Sequence, residues 1–389
     1  MNVALQAIFW VCAGAIVWTQ VGYALALALL ARLLKPPAAL GPGPVGPLPS
    51  LSLIVAAHDE GLVIEERVAN ALALDYPREL LEVIVACDGC TDATAARARA
   101  AGADVVLELP RGGKIKAQDE AVARAKGEIV GFSDANAAWE PEAARALVAA
   151  FDDPDVGYVC GQVSFVQAAK GAEASNQEGI YWRYELAVRE RESKLSSITA
   201  GNGAIYATRR DSYIVVDPIM GHDLSLPFNM VKRGLRAVYV PEARAFEKMA
   251  PSLAGEFARK RCMMSHTWPI LARGGMLSPK GYPPGYAAMI FSHRLLRYLT
   301  PFLHLVALVA NVALVASASG GGAERTLYLT TLAVQLAVLL GALFAGIVRA
   351  RPFLIARYYV LTTASPAAGL WDWLRRGTEA SWEAAPGTR

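Results

Sequence analysis

The chain has 389 residues, a formal net charge of +3 and 54% apolar residues, with a mean hydropathy of +0.30. So small a charge leaves no electrostatic footprint for nucleic acid, and so apolar a composition excludes an ordinary soluble enzyme. What fits is a soluble domain that carries several membrane spans.

Residues 3–34 are almost uninterrupted apolar sequence, including Phe9, Trp10, Trp18 and Tyr23, where a bilayer core asks for only ~20. Arg32 and Lys35 follow the run and no Lys or Arg precedes it. A cleaved signal peptide has its basic residues first, so a retained span is expected, with Arg32 on the cytoplasmic side. Residues 36–50 are rich in Pro and Gly and read as a linker. Short apolar runs of buried-strand type follow at 51–57, 81–86, 105–107 and 129–132. Helical patterning occupies 60–74, 92–101, 116–125 and 141–151. This alternation predicts a mostly parallel sheet with both faces covered. A strand over 156–166, a charged helix over 173–195, an apolar helix over 224–231 and a strand over 234–240 complete a domain placed at 51–250. Amphipathic interface helices are expected over 251–298. Residues 299–316 and 327–348 are long enough to span, and Arg349, Arg351 and Arg357 put the end of the second inside. The stretch 353–374 is broken by Ser365-Pro366 and ends in Arg375-Arg376, which favours an interfacial or re-entrant segment before a tail at 377–389.

Three acidic clusters sit in order between the apolar ends: Asp88-Gly89-Cys90-Thr91-Asp92, Ser133-Asp134-Ala135-Asn136 and Gly221-His222-Asp223-Leu224. The first two follow strand runs, and carboxylates at the C-terminal ends of parallel strands converge on the ligand crevice of an open α/β sheet. Acidic groups there can hold a divalent cation and, through it, a diphosphate. A third carboxylate farther along could act as a base. Five cysteines form no disulfide framework. Cys87 and Cys90 make a C-x-x-C, but no second Cys pair or His pair completes a zinc pattern, so they read as small residues in a turn.

Several short elements share an order and spacing: Ala56-Ala57-His58-Asp59-Glu60, the Asp88 cluster, Gly112-Gly113-Lys114 with Lys116-Ala117-Gln118-Asp119, Asp134-Ala135-Asn136, Gly201-Asn202-Gly203 and His222-Asp223. Over 51–268 this series resembles the family-two inverting glycosyltransferases, the membrane-bound group that includes cellulose, hyaluronan and chitin synthases and bacterial exopolysaccharide enzymes. The resemblance implies a GT-A fold, an α/β domain with a mixed, mostly parallel sheet, flanked by transmembrane helices. It implies donor contacts from Glu60, Asp88, Lys114 and Asp134, with Arg259 and Arg261 reaching the diphosphate. It implies a Mg or Mn ion at Asp134 and Asn136, acceptor contacts from Asn202, His222 and Trp268, and Asp223 as the base of an inverting transfer. The expected donor is a UDP-sugar, the acceptor is lipid-linked or a glycan, membrane lipids surround the ends, and nucleic acid is not a partner. The expected place is a bacterial inner membrane, with the domain cytoplasmic.

The sequence also departs from the family pattern. Asn136 replaces the second acid of the metal pair and brings no charge, His222 stands where the family has Glu, and no Gln-x-x-Arg-Trp occurs around 256–268. Plainer roles compete. Glu60 and Asp92 suit helix N-termini, Lys114 suits solvent, and Arg259, Lys260 and Arg261 suit a basic face on anionic lipid. Two other functions compete as well: a polyprenyl-phosphate sugar transferase, which needs basic residues more than a base, and a non-catalytic membrane scaffold that keeps a nucleotide-binding fold.

Overall fold

The computed structural model describes residues 3–34, 46–166, 175–248, 253–317, 322–348 and 350–380. The expectations for most of the linker, for Arg349 and for residues 381–389 fall outside that set. Helix α1 (Val3–Val17) continues through one π turn into α2 (Tyr23–Leu33). The domain then runs β1 (Leu51–Ala57), α3 (Ile64–Leu72), β2 (Leu81–Asp88), α4 (Thr94–Ala100), β3 (Val105–Leu109), α5 (Lys114–Val122) and β4 (Ile129–Asp134). It continues with β5 (Ala138–Trp139), α6 (Ala143–Ala149), β6 (Val156–Val166), α7 (Ser175–Leu195), β7 (Tyr206–Arg209), α8 (His222–Lys232) and β8 (Arg236–Lys248). Helices α9 (Leu253–Ala272), α10 (Pro284–Met289), α11 (Leu296–Ser317), α12 (Ala323–Phe344) and α13 (Arg351–Arg376) follow.

Among the described residues the strands form one eight-stranded sheet in the order β3-β2-β1-β4-β7-β6-β8-β5. β3, β2, β1 and β4 are parallel, while β7 runs antiparallel to β4 and β6. β1 is buried along its whole length, because a strand covered on both faces has no polar side to alternate with. Leu53 points to a core with Trp139, Leu147 and Val159, and Ile54 to the opposite core with Phe132, Tyr158 and Tyr206. The expected strand at 234–240 in fact continues to Lys248. Its register against β6 shifts at Gly161, where a Cβ would lie 2.2 Å from the Ala243 carbonyl oxygen. Only glycine allows that approach, and the bulge carries β8 past Pro241 to Glu247.

Three helical stretches among the described residues are long and apolar enough to cross a membrane: Val3–Leu33, Pro284–Ser317 and Ala323–Phe344. Phe9 and Cys12 of α1 share a core with Ala307, Ala310 and Leu314 of α11 and Tyr328 of α12. The small residues let the helix backbones approach closely. Helix α13 is not broken at Ser365-Pro366. The proline lacks the N–H that would reach the Thr362 carbonyl, and the Ser365 hydroxyl donates to that carbonyl instead, at 2.8 Å.

The domain and the flanking helices share side-chain packing. Tyr23, Val188, Phe228, Trp268 and Tyr286 belong to one apolar cluster that joins α2, α7, α8, α9 and α10. Buried Glu192 of α7 accepts from the Tyr23 hydroxyl at 2.6 Å, from the Thr199 N–H at 3.0 Å and from His293 at 2.7 Å.

Candidate active site

Lys114 starts α5, Asp134 ends β4, Asp223 lies in the first turn of α8 and Glu247 lies near the end of β8. The fold gathers all four at the C-terminal edge of the parallel strands. The Lys114 ammonium pairs with Asp134. Burial works against its charge, but Asp134, Glu247 and Asp223 outweigh burial and raise its pKa. Burial also pushes the Asp223 carboxyl up, with Asp134 adding to the shift and Lys114 opposing it. Glu247 is pushed up to about 7 by burial and by Asp134, against Lys114 and Arg259.

Three carboxylates meet around the Lys114 ammonium, with Arg259 acting on Glu247 and Arg67 on Asp134. Their donor atoms are all oxygen, which suits a hard ion such as Mg or Mn. Gly203 leaves room beside the pair, since a Cβ there would stand 3.3 Å from Lys114 Nζ and 3.8 Å from Asp134 Oδ2. Asn136 is half-buried two residues beyond Asp134. Deprotonation of Glu247 adds negative charge beside Asp134, so Mg or Mn should bind more tightly as pH rises through about 7. A metal titration at several pH values should show this dependence, and Glu247→Gln should flatten it.

Asp88 ends β2 and is buried. Its carboxylate accepts from the Gly112 N–H at 2.6 Å and the Gly113 N–H at 3.0 Å, with Arg111 Nη1 at 3.3 Å. In this structure Asp88 therefore pins the glycine loop that presents Lys114. The backbone of Ala380, the last described residue, lies against Gly113, where a Cβ would meet its carbonyl oxygen at 2.0 Å. Glu60 is buried in the turn before α3, and its carbonyl accepts from the Val63 and Ile64 N–H groups at 3.0 Å each.

The three residues expected to face an acceptor are all buried in this structure. Asn202 donates to the Gly161 carbonyl at 2.7 Å and accepts from Ala204 and Ile205 N–H at 3.1 and 2.9 Å, so its amide ties its own loop. Trp268 is buried, and its indole N–H donates to the Pro366 carbonyl at 2.9 Å, which fastens α9 to α13. His222 is buried between two tyrosines. The Tyr213 hydroxyl donates to Asp119 at 2.6 Å and thus accepts from His222 Nε2 at 3.1 Å. His222 Nδ1 lies 2.9 Å from the Tyr206 hydroxyl, which also stands 3.3 Å from Gln118 Oε1. Burial and Lys114 hold His222 down to about 3, so it is neutral in the folded protein.

Unfolding frees that ring to take a proton near its ordinary value of ~6.5. The unfolded chain then binds more protons than the folded one between pH 6.5 and 3, so acid destabilises the fold across that window. The melting midpoint should fall over that range, and less steeply in His222→Asn.

The basic cluster on α9 also splits. Arg261 Nε and Nη2 donate to Asp372 of α13 at 2.5 and 2.6 Å, which ties α9 to α13. Arg259 is the one whose field reaches Glu247.

Glu247 and Arg67 escape the sequence motifs. Glu247 sits beyond Pro241 with no recognisable neighbour pattern. Arg67 left a signal: it occupies the buried stripe of α3 with Ile64, Val68 and Ala71, where a charge is out of place. Its Nε donates to Ser133 at 3.1 Å and its Nη1 to Asn70 at 2.6 Å. Burial lowers it to about 9 while Asp134 opposes that shift, so Arg67 backs the crevice from behind β4.

Residues 49–264 match the family model described as glycosyltransferase like family 2. Over 169 residues the chain is 34% identical to a beta-monoglucosyldiacylglycerol synthase of Synechocystis sp., which covers 38% of this chain and 33% of that protein. Over 238 residues it is 29% identical to an N-acetylglucosaminyltransferase of Rhizobium meliloti, covering 55% of each. The chain thus spans between a third and about half of the length of these curated relatives. Among solved structures, the mannosyltransferase PcManGT from Pyrobaculum calidifontis, in complex with GDP-Man and Mn2+, matches with a TM-score of 0.72 at 23% identity, over 95% of this chain and 99% of that one. That likeness establishes the GT-A fold.

Proposed function

Because the chain belongs to the glycosyltransferase-like family 2, we propose that it transfers one sugar, with inversion, from a nucleotide-diphospho-sugar to a hydroxyl of a membrane-proximal acceptor. The observation that carries this reading is the meeting of Asp134, Asp223 and Glu247 around Lys114 at the sheet edge where α/β ligands bind. Asp223 takes the proton of the attacking hydroxyl as the new bond to the anomeric carbon forms and the bond to the diphosphate breaks on the opposite face. Burial strengthens this carboxylate as a base by bringing its pKa closer to the working pH. Lys114, freed from Asp134, offers its charge to the leaving diphosphate. Asp134, with Glu247 or Asn136 beside it, would hold a Mg or Mn ion, which neutralises charge on the leaving group when bound.

A UDP-sugar is the donor proposed. The acceptor proposed is a lipid hydroxyl or a lipid-linked sugar. Two observations support a membrane acceptor: Arg259 ties the crevice to α9, and the Synechocystis relative carries the name of a glycolipid synthase. The same reading places the spans in a bacterial inner membrane, with the domain on the cytoplasmic side. A polyprenyl-phosphate acceptor would draw on residues 259–261, yet Arg261 is held by Asp372 and Lys260 donates to Tyr358 at 3.1 Å. The test is nucleoside diphosphate release by the full chain in lipid nanodiscs, across UDP- and GDP-sugars, with Mg or Mn and membrane lipid. Release should be selective for one donor and require the metal. Donor binding with no release under any combination would sink the transferase reading and leave a binding scaffold.

A further inference from the structure

His58, Asp59 and Cys90 meet where the loop after β1 touches the loop after β2, with their imidazole, carboxylate and thiol ligand atoms all within 4.8 Å of one another. We infer that these three residues form a second cation site, suited to zinc or a similarly soft divalent ion and separate from the all-oxygen crevice at Asp134. The inference goes beyond the sugar-transfer reading and does not depend on it.

The donor set decides the metal class. Sulfur, nitrogen and one carboxylate oxygen match zinc, whereas Mg and Mn favour oxygen alone. Ligand distances of about 2.0–2.3 Å around tetrahedral zinc put neighbouring donor atoms roughly 3.3–3.8 Å apart. His58 Nε2 and Asp59 Oδ2 already stand 3.8 Å apart. The other donor pairs lie within 4.8 Å, about 1 Å beyond that spacing at most.

The surroundings orient the ligands. His58 Nδ1 lies 2.7 Å from the Asp88 carbonyl oxygen. Only an N–H can face a carbonyl, so Nδ1 carries a proton and Nε2, on the side of Asp59, is the nitrogen left to bind an ion. A backbone carbonyl that fixes the tautomer of a ligating histidine is a usual outer-sphere partner in metal sites. Asp59 Oδ1 accepts from the Thr91 N–H at 2.7 Å and the Asp92 N–H at 3.3 Å. The Thr91 hydroxyl stands 3.3 Å from Oδ1 and 3.2 Å from Oδ2. Asp59 has φ +50°, and among the described residues it is the only non-glycine with positive φ. Such strain collects at functional positions. Cys90 comes from the other loop, its Sγ 3.5 Å from the Ala57 carbonyl oxygen, while Cys87 is buried in β2 beneath it. On binding, the thiol gives up its proton and its sulfur bonds to the ion. Three ligands leave the fourth position to water, and the ion would clamp the two loops that flank Asp88.

The sequence shows a C-x-x-C without a partner pair because the other two ligands lie about thirty residues upstream on a different loop. The test is a cobalt titration of the metal-stripped full chain in nanodiscs, with excess Mg to fill the oxygen crevice. One equivalent of cobalt should bind with a thiolate-to-metal absorption band that zinc abolishes. The band should vanish in Cys90→Ser and persist in Cys262→Ser, which removes the exposed cysteine. His58→Gln keeps the thiol and should weaken cobalt binding at least about tenfold, which serves if Cys90→Ser fails to fold. Absence of the band, its survival in Cys90→Ser, its loss in Cys262→Ser, or unchanged affinity in His58→Gln would each overturn the site.

Discussion

Asp223→Asn should lower the rate of sugar transfer by about 10²- to 10⁴-fold, the usual worth of a positioned general base. The amide is nearly the same size and shape, so donor binding and the melting midpoint should change little. The Asp223 backbone carbonyl already accepts from the Gly201 N–H at 2.7 Å, and this bond keeps the first turn of α8 in place in the variant. The loss should therefore fall on kcat. The variant should also lose the acidic limb of the rate profile that titration of Asp223 produces in the wild type, a limb displaced upward by burial. Two carboxylates stand close enough to compete for the role. If Asp223→Asn turns over at nearly the wild-type rate while Glu247→Gln does not, the base is Glu247 and the geometry of attack must be redrawn.

The second large effect is expected at Asp88. Its carboxylate is an acceptor on both oxygens, and it holds Gly112 and Gly113 by their N–H groups. Asp88→Asn turns one of those oxygens into a donor that faces another donor. Charge-assisted hydrogen bonds of this kind contribute about 1.5–3 kcal/mol. A loss of ~2–3 kcal/mol would lower the melting midpoint by roughly 4–12 °C. Donor affinity should drop as well, because the same loop carries Lys114 to Asp134. The two readouts separate the possible roles. A residue that touched only the nucleoside would weaken the donor and leave the midpoint alone, whereas a loop anchor moves both.

The central part of this arrangement is plain in the sequence. β1 to β4 are largely apolar runs between turn residues, and Asp88 and Asp134 close β2 and β4, so the crevice can be placed from pattern alone. What pattern cannot supply is the identity of distant partners. Asn202, His222 and Trp268 stand at motif positions that suggest an acceptor, but their hydrogen bonds go to Gly161, to Tyr206 and Tyr213, and to Pro366. Arg261 meets Asp372, which lies 111 residues on. β5 and β7 are two and four residues long, too short to register as periodicity. Glu247 reaches the crevice only through the Gly161 bulge, a tertiary event with no local trace.

The Tyr23 hydroxyl bonded to Glu192 bears on how such a protein can be altered by evolution or by engineering. Glu192 also holds Thr199, two residues before Gly201, which binds the backbone of Asp223. The amino-terminal helix is thus a short relay of hydrogen bonds from the first turn of α8. It is not an interchangeable tether. A fragment trimmed to residue 46 onward would leave a buried carboxylate without its phenol and remove Tyr23 and Leu27 from the apolar cluster that includes Val188. Replacing the helix with a foreign one would lose the same contacts unless a tyrosine arrived at the same depth. Helix and domain are therefore best redesigned as one unit.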